Sequence, residues 1–286
     1  MSAQTPPPRS RIAVPSKGRL RDDCLKVLST AGYGTSALHG GGAMAATDGL
    51  EFLEMRPRDA AAALAAGQLS GAFLATDIVM EHGVADLPQI GLGFSRSDLV
   101  VASRDDDGRI SAADLAGCVV ATHLPNVTER FFADKGIDVT VVTMGGSLEG
   151  VCAAGIADAI VDLRQTGTSL RTNRLRVLEE IQSCEALFVR SRERPALDDL
   201  ALRIEAVLDA RRHRYVMLHV PAGGLDALRE ILPGLASPTV LPLAGRDDLV
   251  AVHLVVAAGE LWSRLGDLRS IGATGIVALE PQALLD

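Results

Sequence analysis

Aromatic side chains are scarce in this chain, with one Trp, two Tyr and six Phe among 286 residues. Positive charge is also in deficit: 28 Lys and Arg stand against 36 Asp and Glu, a formal net charge of −8. A nucleic-acid surface needs a basic stripe and rings for stacking, so that class is excluded and small-molecule chemistry is expected. Cysteine is limited to Cys24, Cys118, Cys152 and Cys184, spaced singly with no CxxC pair. That spacing argues against a zinc site or a disulfide framework and fits free thiols in a reducing cytoplasm. No apolar run reaches the roughly 18 residues of a membrane span. The opening MSAQTPPPRSR lacks the apolar core of a signal peptide, and residues 1–10 are expected to form a disordered tail.

Short apolar runs bounded by turn residues are present instead, at RIAVP (from Arg11), EFLEM (from Glu51), DLVVAS (from Asp98), CVVATH (from Cys118), DVTVVTM (from Asp138), DAIVDL (from Asp158) and ALFVRS (from Ala186). Between them lie amphipathic segments of helical length such as RLRDDCLKVLSTAG and RDAAAALAAGQ. This alternation predicts α/β layers with mostly parallel strands. Ser111 with Asp114, and Asn126 with Glu129, have the spacing of a capping box at a helix start. RPALDDLALRIEAVLDARRHR predicts one long helix. From Arg214 the order changes to β-α-β-β-α-β, the ferredoxin-like split unit, in a module large enough to be a small regulatory domain.

The stretch ADAIVDLRQTGTSLRTNRL (157–175) carries the most chemistry. A buried strand with Asp158 and Asp162 runs into the turn Thr166–Gly167–Thr168–Ser169 and a helix start. Glycine allows close approach of backbone, and free amides and hydroxyls at a helix start favour an anion. A carboxylate nearby can hydrogen-bond ribose hydroxyls, so a sugar phosphate fits better than free phosphate; a plain strand-to-helix turn with capping hydroxyls is the alternative. AVPSKGRL (13–20) opens a helix with Lys17, Gly18 and Arg19 at the C-terminal end of a strand, where open α/β sheets bind ligands. MRPRD (55–59) repeats the arrangement with Arg56 and Arg58, and GGSLEG (145–150) is a further glycine turn with Glu149 in the first helical turn. His123 in ATHLPN is the one histidine placed near such a cleft. His219 and His253 alternate on strands of the C-terminal module.

In this order, these stretches, together with YVMLHVPAGGLDALREILPGLASPTVLPLAG, VAVHLVV, ELW and IGATGIVAL, resemble the long form of ATP phosphoribosyltransferase over nearly the whole chain. The resemblance implies two periplasmic-binding-protein-like (type II) domains around a cleft, residues 11–102 with 186–212 and residues 103–185, followed by a ferredoxin-like domain, residues 213–286. It implies magnesium, a cytoplasmic homo-oligomer (dimer or hexamer), phosphoribosyl pyrophosphate and ATP as substrates, and histidine as feedback inhibitor, with His219, Ser237 and Thr239 as regulatory candidates. Asp158, Asp162 and Glu149 would act at the ribose. Thr166, Gly167, Thr168, Ser169 and Leu170 would hold the 5-phosphate, and Lys17, Gly18, Arg19 and Arg56 would face the other phosphates, with Asp77 also at the substrate. Two stretches depart from the family pattern. SGAFLATD (70–77) keeps Asp77 but puts Ala75 in place of a cleft-lining glycine, and Arg164–Gln165 replaces a pair of small residues. A smaller, more positive cleft predicts weaker use of ATP; the alternatives are a related enzyme with a smaller or more anionic acceptor, and a non-catalytic two-lobed binding protein.

Overall fold

The computed structural model describes residues 10–47, 49–191 and 196–285. The expected tail, residues 1–10, lies outside them except for Ser10, which opens the first strand. The chain forms two compact units, one running to Ser29 and through Tyr33–Asp199, the other made of Thr30–Gly32 and residues from Leu200 onward.

In the first unit, β1 (Ser10–Pro15) leads to α1 (Gly18–Thr30), the short α2 (Ser36–His39), β2 (Met44–Thr47) and β3 (Leu50–Met55). Next come α3 (Pro57–Ala65), β4 (Gly71–Ala75), α4 (Thr76–Glu81) and β5 (Gln89–Gly91). A second lobe follows with β6 (Ser97–Arg104), a 3₁₀ turn (Ala112–Leu115), β7 (Val119–Thr122), α5 (Pro125–Asp134), β8 (Thr140–Thr143), α6 (Leu148–Ala153), β9 (Ala159–Arg164), α7 (Thr168–Thr172) and β10 (Leu175–Cys184). β11 (Ala186–Arg190) then returns to the first lobe.

The two sheets share one plan. In the first the order is β2-β3-β1-β4-β11-β5; in the second it is β10-β6-β9-β7-β8. Each has a parallel trio, β3-β1-β4 or β8-β7-β9, flanked by one antiparallel strand, β11 or β6, that arrives from the other lobe. This exchange is the type II periplasmic-binding-protein arrangement. It makes the sheets mixed rather than mostly parallel, because a strand entering from the far lobe must run against the βαβ units that it joins. β6 belongs wholly to the second sheet, so the chain leaves the first sheet after Gly91, ahead of residue 102. The strands are apolar because helices cover both faces: Ile12, Ala13, Val14, Leu99, Val101, Ile160 and Val161 have no exposed surface.

The capping box at Ser111 and Asp114 is present. The one expected at Asn126 and Glu129 is not. Pro125 occupies the first turn of α5, as its fixed φ favours, and starts the helix earlier. The free amides of Asn126 and Val127 then donate to the buried carboxylate of Glu81 on α4, at 3.2 and 3.0 Å.

The second unit contains the long helix α8 (Ala196–Arg212) from Leu200 on, then β12 (His213–Pro221), α9 (Leu225–Ile231), β13 (Thr239–Leu243), β14 (Arg246–Ala257), α10 (Ala258–Ser270) and β15 (Thr274–Leu279). Its antiparallel sheet has the order β13-β14-β12-β15, the ferredoxin-like arrangement. Alternation on β12 sends Val216, Leu218 and Val220 into the core with Leu228, Leu261 and Leu268 of the helices.

Candidate active site

β9 is buried along its first three residues and surfaces at Asp162–Arg164. There the chain turns through Gly167, whose φ of 70° is left-handed and costs glycine little. The Thr166 and Thr168 hydroxyls lie 3.1 Å apart, and Ser169 Oγ donates to Glu149 Oε1 at 2.5 Å. Leu170 is buried and anchors the far side of the turn. Arg171 folds back, donating to Thr166 O at 3.2 Å and to Thr168 Oγ1 at 3.1 Å.

This turn forms one wall of a cleft of ≈ 660 Å³. The start of α1 lines the same cleft, where Lys17, Gly18 and Arg19 are exposed and Gly18 has a φ of 82°. Ala75, Asp77, Ser95, Ser97 and Glu149 complete the lining with Thr166–Leu170. Cations together with a hydroxyl-rich turn suit a ligand with phosphate groups at both ends.

A second set of groups, Asp162, His123 and Arg58, meets around Asp77, the one of them that lines the cleft. Asp77 is 3 % exposed and its Oδ1 has no hydrogen-bond partner among the described residues. Burial pushes its carboxyl above the usual aspartate range, against the pull of His123 and Arg58. Asp162 is pushed up as well, chiefly by burial and further by the negative charges of Glu149 and Asp77, while the Leu163 amide and His123 act the other way. His123 Nδ1 stands 3.5 Å from Asp162 Oδ1, and Arg58 donates to the His123 carbonyl. Arg58 and His123 were legible only as isolated residues; their meeting depends on the two lobes coming together.

Four predicted residues are placed differently, among them Asp162, which stands near Glu149 and Asp77 without lining the cleft itself. Asp158 precedes β9 and is tied there by Arg109 Nη2 at 3.1 Å and the Val119 amide at 3.0 Å. Four residues along a strand span about 13 Å, so Asp158 stands at the far end of β9 from the cleft. Arg164 lines the cleft with its stem, but its guanidinium is committed to Asp98 at 2.7 Å and Glu180 at 3.2 Å. It therefore adds no free positive charge to the acceptor side, because the expectation counted the residue without its partners. Arg56 is exposed at the start of α3 and does not line the cleft.

The C-terminal unit has a smaller pocket of ≈ 290 Å³, lined by Tyr215, Ser237, Thr239 and His253 among others. Tyr215 Oη and His253 Nδ1 share a hydrogen bond at 2.7 Å. His219 is not in this pocket. Its ring lies beside Gly275, where an added Cβ would stand 3.3 Å from Nδ1.

Comparison with known proteins agrees with this architecture. Residues 56–210 match the ATP phosphoribosyltransferase family, and residues 210–281 match its HisG C-terminal domain. ATP phosphoribosyltransferase of Gemmatimonas aurantiaca is 38% identical over 96% of this chain and 99% of its own length. That of Halobacterium salinarum is 36% identical over 96% and 100%. The solved ATP phosphoribosyl transferase (HisG:HisZ) complex from Thermotoga maritima superposes with a TM-score of 0.60 at 25% identity, covering 70% of this chain and 98% of the other. The chain belongs to the ATP phosphoribosyltransferase family in its long form, pentosyltransferases of the first step of histidine biosynthesis.

Proposed function

We propose that this cleft joins phosphoribosyl pyrophosphate to ATP with release of pyrophosphate. The observation that carries the reading is one cleft lined together by Lys17, Arg19, the Thr166–Leu170 turn, Glu149 and Asp77. The turn takes the 5-phosphate on its amides and hydroxyls. Lys17 and Arg19 draw the departing pyrophosphate, whose negative charge grows as the bond to the anomeric carbon breaks. A ring nitrogen of adenine attacks that carbon through a transition state of oxocarbenium character, like that of glycoside cleavage. Glu149 and Asp162 stabilise its positive charge at the ribose, so the protein needs no covalent nucleophile.

Magnesium is the metal we assign. Magnesium is usually held by one or two carboxylates together with substrate phosphates rather than by an all-protein cage. The donor that fits is Asp77, a hard carboxylate whose Oδ1 is buried and unpartnered beside the cleft. Asp77 would share the ion with pyrophosphate, and the ion would neutralise the leaving group.

We divide the chain into three domains that follow its three sheets, two forming the lobes of the cleft and the third regulatory, with histidine as effector at the Ser237–Thr239 pocket. A cytoplasmic homo-oligomer is the working assembly. Its support is the family, the four free cysteines and the lack, among the described residues, of any helix long and apolar enough to cross a membrane. The test is pyrophosphate release on mixing the protein with magnesium, phosphoribosyl pyrophosphate and ATP. Release with ATP is expected. Release only with another acceptor would move the activity to a related transferase, and none with any acceptor would leave a binding protein.

A further inference from the structure

Arg164 ends β9, and the turn that follows begins at the next residue. Its Nη2 donates to Asp98 Oδ2 at 2.7 Å and to Glu180 Oε2 at 3.2 Å. Asp98 is the direct cross-strand partner of Arg164 on β6, and Glu180 lies on β10, where it pairs with Val100 of β6. One guanidinium thus ties three neighbouring strands together at the cleft end of the sheet. The three side chains are only 29 %, 31 % and 49 % exposed, so water screens the group incompletely. The stem of Arg164 runs under the turn: its Cδ lies 3.7 Å from the place a Cβ on Gly167 would occupy.

We propose that Arg164, with Asp98 and Glu180, is a positioning residue for the turn that holds the donor's 5-phosphate. The proposal rests on the reading of that turn given above. The guanidinium does not touch substrate. It fixes the strand end from which the turn springs, its stem supports the turn at the left-handed glycine, and its charge offsets two carboxylates that would otherwise stand beside a polyanion site.

Three variants of the full-length protein test this. Arg164→Met keeps the stem and removes the charge, Arg164→Lys keeps a charge without the fork, and Asp98→Asn with Glu180→Gln frees the guanidinium. Two quantities are read: the steady-state KM and kcat for phosphoribosyl pyrophosphate at about 0.3 M salt, which screens through-solvent effects, and amide exchange of residues 165–169 in the free enzyme. Arg164→Met is expected to raise the donor KM roughly tenfold, with kcat within about twofold, and to speed loop exchange. Lysine should recover part of both. The double variant should also raise KM and speed exchange, though it leaves the arginine in place.

A donor KM that falls in the double variant would mark Arg164 as a substrate cation held in reserve and overturn the proposal. Unchanged loop exchange in Arg164→Met overturns it too, as does an unchanged donor KM. If Arg164→Met does not fold, the lysine and double variants decide. Gly167→Val is the control. If it raises donor KM while the Arg164 set does not, only the positioning role fails; if it too has no effect, the turn is not the phosphate site.

Discussion

Ser169 Oγ donates to Glu149 Oε1 at 2.5 Å, joining the first turn of α7 to the first turn of α6 across the cleft wall. The bond holds one carboxylate oxygen, and on the function proposed above the other is the one offered to the ribose. Glu149→Gln keeps the size and loses the negative charge that an oxocarbenium needs. It is expected to lower kcat on the order of 10²-fold with little change in donor affinity. Ser169→Ala should cost less, since the carboxylate survives. Single-turnover rates with both substrates saturating check the order; a Ser169→Ala defect as large as that of Glu149→Gln would remove Glu149 from the chemistry.

Gly167→Val should abolish donor binding and leave the fold intact. A β-branched residue at a φ of 70° is strained before any contact is counted. Its Cβ would also stand 3.2 Å from Arg171 Nη1, which donates to Thr166 O and would have to give by a few tenths of an ångström. Titration calorimetry with phosphoribosyl pyrophosphate is the measurement. Unaltered affinity in a folded variant refutes the phosphate assignment.

Ala75 and Arg164 suggest from sequence a cleft ill-suited to ATP, and the geometry reverses half of that expectation. Ala75 does line the cleft. Arg164 spends its charge on Asp98 and Glu180. The double variant Ala75→Gly, Arg164→Val is therefore expected to be less efficient than the parent, through a higher donor KM, and to gain no more than about threefold in KM for ATP. A large gain in ATP use would restore the altered-acceptor reading.

What could be read from sequence was local. Buried parallel strands such as β1 and β9 announce themselves as apolar runs, and the Gly167 turn is punctuated by its own residues. β4 was hidden because Gly71–Ala75 is short, has no β-branched residue and is flanked by Ser70 and Thr76, so it resembles a loop. β10 was hidden for another reason: Leu175–Cys184 mixes charge with apolar residues and pairs with β6 through two register shifts, which blur the period of two. Asp158 misled because both carboxylates were credited to the turn, although four residues of strand hold them about 13 Å apart. The contacts of Arg58 with His123, Glu81 with α5, and Arg164 with Asp98 join residues 65, 45 and 66 positions apart. No local pattern encodes such pairs.

Histidine should raise the melting temperature of the full-length protein by binding only its folded state. The pocket lined by Ser237, Thr239, Tyr215 and His253 is the expected site, and His219 lies elsewhere. Thr239→Val should remove most of the shift, whereas His219→Ala should retain it. Differential scanning fluorimetry at saturating histidine distinguishes the two. Loss in His219→Ala with retention in Thr239→Val would move the site to the far end of β12.

Asp77 is a buried carboxyl with an unpartnered oxygen, and pH exposes what that burial costs. Burial raises its carboxyl in the folded state, so between the ordinary aspartate value of about 3.9 and the raised native value the native protein holds a proton that the unfolded chain has lost. Stability must therefore fall as pH rises through that interval, because the unfolded state binds fewer protons there. Below about pH 3.9 both states are protonated and the penalty is absent. Asp77→Asn cannot ionise, and its amide can occupy the place of the unpartnered Oδ1. The variant should match the parent near pH 4 and exceed it by an amount that grows with pH until the raised native value is passed and is constant above it. Each kcal/mol of that difference moves the melting temperature of a chain near this size by roughly 2–4 °C. Catalysis should move the other way, with kcat/KM at least about tenfold lower at neutral pH if the carboxylate serves magnesium and pyrophosphate. Melting curves from pH 4 to 8 alongside rates at pH 8 test both halves. A stability difference that does not grow with pH shows that Asp77 is not carrying a buried charge, and a variant as active as the parent removes it from the site.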